Sequence, residues 1–113
     1  MNNPEQVKSL ISQMLQACKN IMSVTSDYSI ADEIKDQDFV LDNVYMNIVV
    51  IIETYMKTDK DIKDSIISQE EIKYFTDIIN NDFREKDLSK ILYVSKHFIP
   101  TLITKLNEIL TKL

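Results

Sequence analysis

From Asp38 to Met56 the chain reads DFVLDNVYMNIVVIIETYM, apolar at thirteen positions from Phe39 to Met56 with few polar interruptions. Wound as a helix, this segment is apolar on more than half of its circumference. Only helices surrounded by other protein or by lipid carry such a pattern. It is therefore predicted to be the central helix of a bundle, wrapped by the others, with Val49 among its buried residues and Asp36 or Asp38 as its cap.

The flanking segments supply the wrapping. Asn3 offers an N-cap, Pro4 fits the first helical position, and Glu5 suits the positive end of the helix dipole. Val7, Leu10, Ile11, Met14, Leu15, Cys18, Ile21 and Met22 then recur at three- and four-residue steps, one stripe of an amphipathic helix. The periodicity lapses from Thr25 to Gln37, where Tyr28, Ile30 and Ile34 pin a connection that has room for a short turn around Ala31–Lys35. After Lys57 the charged text TDKDIKDS ends the central helix, and Ile62, Ile66 and Ile67 mark another short turn. Ser68-Gln69-Glu70-Glu71 spells a capping box, and Ile72, Phe75, Ile78 and Ile79 give the next helix its inner face.

The last helix is expected from Glu85 or Asp87 to the C-terminus, with a stripe running through Leu88, Ile91, Leu92, Phe98, Leu102, Leu106 and Leu113. Pro100 lies inside it, removes one backbone donor, and should bend the helix by freeing the carbonyl of Lys96. The expected fold is all-α: a single domain over residues 1–113, an antiparallel bundle of four or five helices. The count depends on whether the segments near Ala31 and Ile62 are helical. A last helix so long for its domain predicts packing against a second copy, hence a homodimer.

Composition narrows the function. The chain has no glycine, which removes phosphate-cradling loops of the Rossmann and P-loop kinds and makes tight hairpins unfavourable. Asn20, Asn80 and Asn81 are placed to end helices in its stead. A net charge of -5 argues against sequence-independent nucleic-acid binding, which needs a basic face. The lone Cys18 reads as a small buried hydrophobe, with no internal disulfide. No signal peptide and no uninterrupted apolar run of membrane-spanning length is present, so a cytoplasmic protein without membrane contact is expected.

No chemistry-bearing constellation stands out. His97, the sole histidine, has no Cys, Ser or carboxylate at triad or metal-ligand spacing and reads as structural. Asp32, Glu33, Asp36 and Asp38 cluster without the glycine that shapes an EF-hand loop, so they read as a solvated connection. Neither a metal nor a cofactor is expected.

The layout of an amphipathic helix, a lapse, the segment beginning Asp38-Phe39 with Leu41 and Asn47, a short helix, and a final helix with an internal proline in FIPTLITKLNEIL resembles the HEPN domains of HepT-like toxins. The resemblance implies a ribonuclease motif of an arginine, then four to six residues, then a histidine, and usually a tyrosine two positions later. Here the corresponding register, TDIINNDF, puts Thr76 where the arginine belongs, Asn81 in place of the histidine and Phe83 in place of the tyrosine. An amide does not titrate and a threonine carries no cation, so this register supports neither general-base nor charge-stabilising chemistry.

Three readings follow. The first is a non-catalytic interaction protein on a degenerate HEPN plan, acting through a protein partner. The second is a small acidic immunity or phage-encoded inhibitor protein that masks a basic partner. An HEPN-type ribonuclease with an atypical site comes third.

Overall fold

The computed structural model describes residues 3–80 and 88–113, which form helices with no strand among the described residues. The elements are α1 Pro4–Thr25, α2 Ala31–Ile34, α3 Asp38–Met56, α4 Lys60–Ile66, α5 Gln69–Asn80, α6 Leu88–Tyr93, a π-helical turn Val94–Phe98, and α7 Ile99–Lys112. Both short segments left open by the sequence are helical, and the all-α class holds.

Helix α1 starts as its sequence dictates. The Gln6 amide N–H donates to Asn3 Oδ1 at 2.8 Å, and the Asn3 N–H donates back to Gln6 Oε1 at 3.0 Å. The helix does not stop at Asn20. That residue points its amide across to α3 instead, donating to Asn47 Oδ1 at 3.1 Å. The end comes at Thr25, whose hydroxyl donates to the Ile21 carbonyl at 2.7 Å and whose own carbonyl accepts Lys96 Nζ at 2.9 Å.

The central position belongs to α1, not to α3. Helix α1 packs along α3 and also along α7, burying Ile11, Met14, Cys18 and Ile21 completely. Helix α3 turns Val40, Leu41, Val44, Ile48 and Ile51 into the core but leaves Phe39, Met46, Val50 and Met56 exposed and Val49 half-buried. The expectation of a fully wrapped helix is therefore corrected. An apolar circumference permits burial on every side, but among the described residues the fold supplies neighbours for one side only. By length and composition α3 is also apolar enough to cross a membrane, although its inner face is committed to this core. Its N-cap is Gln37, with no side-chain capping bond, so neither Asp36 nor Asp38 plays that part.

Helix α5 packs against α3 and is entered through the capping box read from the sequence. The Glu71 N–H donates to Ser68 Oγ at 3.1 Å, and the Ser68 N–H donates to Glu71 Oε1 at 3.0 Å. Lys105 of α7 secures the same corner, its Nζ 3.6 Å from Glu71 Oε1 and bonded to the Ile66 carbonyl at 3.3 Å. Ser68→Ala is expected to cost about 1 kcal/mol, a fall of roughly 4 °C in Tm by thermal circular dichroism. An unchanged Tm would show the cap to be dispensable.

At Pro100 the last helix departs from regular α geometry. The proline ring lacks an N–H and crowds the carbonyl four residues back, at Lys96. The chain accommodates this by widening the turn from Val94 to Phe98, so that the Ile99 N–H bonds the Val94 carbonyl five residues earlier. Beyond it, Ile99, Leu102 and Leu106 are buried in the core, and α7 runs along α1. The apolar stripe of this last helix is thus used inside the chain. The predicted start of this helix, at Glu85 or Asp87, lies outside the described residues.

One contiguous core draws on every helix, including Ile34 of α2 and Ile66 of α4. Among the described residues, no buried side-chain nitrogen or oxygen lacks a hydrogen-bond partner.

Candidate functional site

The positions implied by the HEPN resemblance are only partly visible. Thr76 sits half-buried on α5, beside the fully buried Phe75. Asn81 and Phe83 lie outside the described residues.

Cys18 is enclosed in the α1 stripe, and burial pushes its thiol up from the ordinary 9.0 to about 12. The protonated thiol is favoured in the fold, so its contribution to stability is full below pH 9 and lost as pH climbs toward 12. Reaction with a thiol reagent at pH 8 is expected to be roughly a thousandfold slower in the native protein than in denaturant. Equal rates would show that the helix opens freely.

The acidic connection is explained locally. Glu33 Oε1 accepts the Ser29 N–H at 2.7 Å and the Ile30 N–H at 3.0 Å, capping α2. Those two bonds, Ser29 first, hold its carboxyl below the usual carboxylate range. Among the described residues, no group of three potential metal ligands converges.

What the structure does present is the outward side of α3. Phe39 is 75% exposed, Met46 66% and Val50 39%. Steps of seven and four residues return to the same side of a helix, so these side chains form one stripe. Asn43 interrupts the stripe between Phe39 and Met46, and large exposed apolar side chains grouped on one side of a helix suit an interaction site. Its border is fixed by a row of amides. Gln16 Nε2 donates to Asn20 Oδ1 at 3.0 Å, Asn20 donates to Asn47, and Asn47 Nδ2 donates to the Asn43 carbonyl at 2.8 Å. This network locks α3 against α1 beside the stripe, so the apolar side chains stand on a rigid support.

The electrostatics of the helix are one-signed. Between Asp38 and Met56 there are three carboxylates, at Asp38, Asp42 and Glu53, and no lysine, arginine or histidine. Asp38 and Glu53 are exposed.

The sequence reading buried Phe39, Met46 and Val50. A signal for their exposure was present: Asn43 and Glu53 share the side of the helix they occupy, and a wrapped helix would not carry polar groups there.

No protein-family model, curated protein or solved structure matches the chain.

Proposed function

We propose that the protein is a non-catalytic interaction module, on the plan of a degenerate HEPN domain, whose docking surface is the outward side of α3. The observation that carries this reading is the exposed stripe of Phe39, Met46 and Val50 on a helix without a single cation. Apolar anchors set in an acidic border suit a helical partner with an apolar stripe and basic flanks. This agrees with the inhibitor reading, in which an acidic surface covers a basic one.

Charge also argues against other occupants. A two-fold pairing through α3 would set the three carboxylates of one copy against those of the other, an unfavourable isologous contact. An anionic lipid surface would be repelled by the same groups.

The test is calorimetric titration with two synthetic amphipathic helices, one of leucine and lysine, the other of leucine and glutamate. Saturable binding of the lysine helix is expected, with a Kd on the order of micromolar. Equal binding of both helices, or binding of neither, would overturn the proposal.

A further inference from the structure

A second surface is built at the π-helical turn, from residues that the α3 reading does not use. Tyr74 of α5 stacks on Tyr93 of α6, with ring centroids 5.4 Å apart and planes 26° apart. Tyr93 in turn packs against His97 at 4.6 Å. Phe98 stands edge-on to both tyrosines, at 5.0 and 5.3 Å, and edge-on to the buried Phe75 at 6.4 Å. The row of rings is thus anchored in the core, and its outer members are held in place before any ligand arrives.

Beside Tyr93 and His97 opens a groove of about 400 Å³, within the size range of small-molecule sites. Its apolar part comes from Ile30, 60% exposed, from Leu92, and from Tyr93, itself 42% exposed. Its polar part is rich in donors: the Lys96 ammonium, the His97 ring and the Ser89 hydroxyl. Lys96 is fixed by its bond to the Thr25 carbonyl at 2.9 Å, and an ammonium has two further donors to offer. The carboxylate of Glu33, whose Oε1 accepts the Ser29 and Ile30 N–H groups, also lies close enough for the Lys96 charge to favour its ionised form, so an incoming anion shares Lys96 with it.

The turn itself shapes the groove. Pro100 forces the widened turn, and that turn carries both Lys96 and His97. Single π-helical turns inside α-helices are frequent at functional sites. Two exposed aromatic residues, Tyr93 and His97, next to the held Lys96 ammonium are complementary to a flat ring bearing an acceptor-rich, negative head.

We propose that this groove binds a small planar aromatic anion, a ring carrying a carboxylate or a phosphate. The ring stacks against Tyr93 and His97, and the head is held by Lys96 with help from Ser89. Tyr74 and Phe98 act as positioning residues that keep the Tyr93 ring in place.

The test is a magnetic-resonance titration of the full chain that follows the ring signals of Tyr93 and His97. The probes are phenyl phosphate, benzoate, inorganic phosphate and benzyl alcohol. At least one of the two aromatic anions is expected to saturate and to shift both rings, and the one that binds tighter identifies the head group. Inorganic phosphate and benzyl alcohol, which each lack one half of the ligand, are expected to bind at least about tenfold more weakly. Lys96→Gln is expected to weaken the aromatic anion about tenfold. Should that variant fail to fold, Ser89→Glu, at an exposed position, takes its place by setting a like charge in the groove. No saturation by either aromatic anion overturns the proposal. So does equal binding of inorganic phosphate or benzyl alcohol, or unchanged affinity in the deciding folded variant.

Discussion

Ile48→Asp is expected to leave the chain unfolded at room temperature, whereas Met46→Asp, two residues away on the same helix, folds. Ile48 is fully buried in the core. Its replacement removes an aliphatic side chain, a loss of about 2–5 kcal/mol, and buries a carboxylate without a partner, which adds several more. A domain of this size has roughly 5–15 kcal/mol in all. Met46 faces solvent, so aspartate there loses little beyond helix propensity, well under about 1 kcal/mol. Val49, half-buried, falls between them: Val49→Asp destabilises the protein but leaves it folded. Urea unfolding followed by circular dichroism separates the three. A native midpoint for Ile48→Asp, or an unfolded Met46→Asp, would contradict the packing of α3 described above.

The second large effect concerns binding. In interfaces a few central apolar and aromatic residues carry most of the energy, each about 2 kcal/mol or more. Phe39 and Met46 are the most exposed side chains of the α3 stripe. The double variant Phe39→Asp, Met46→Asp is therefore expected to weaken the leucine–lysine helix roughly a hundredfold or more, with the Tm nearly unchanged. The sign of this effect is diagnostic. Two added carboxylates would strengthen a purely electrostatic attraction to a lysine-rich peptide and would weaken a hydrophobic docking. Unchanged or tighter binding by the double variant would show that charge alone attracts the peptide.

What the sequence conveyed well was local. The caps at Asn3 and Ser68 are set by side chains bonding to backbone a turn away, so the motif and its geometry are read from the same few residues. The stripes of α1, α5 and α7 are likewise fixed by spacing along one helix. The neighbours of α3 were not legible. Periodicity tells which side chains share a side of a helix, not how many helices the rest of the chain can lay against it. The proline at 100 was read as a bend because its missing N–H is visible in the sequence. The remedy, one extra residue in the turn, is tertiary as well as local: Val94 and Ser95 of that turn lie buried in the core.

The candidate surfaces show the same division. The stripe of Phe39, Met46 and Val50 was hidden by the apolar residues that share their helix, though Asn43 and Glu53 marked its side. The groove at the π-helical turn had no sequence signal, because Tyr74 and Tyr93 meet only through the packing of α5 on the later helices. His97, read as structural for lack of nearby partners in sequence, lies exposed on that turn and packs against Tyr93.

The docking role of α3 is tested most directly with its own methionines. In protein carrying ¹³C-labelled methionine methyl groups, Met46 lies on the exposed stripe and Met14 is completely buried in α1. Addition of the leucine–lysine helix is expected to shift and broaden the Met46 signal while that of Met14 stays in place. A peptide that binds and leaves Met46 unmoved would contradict the assignment of the binding surface to α3.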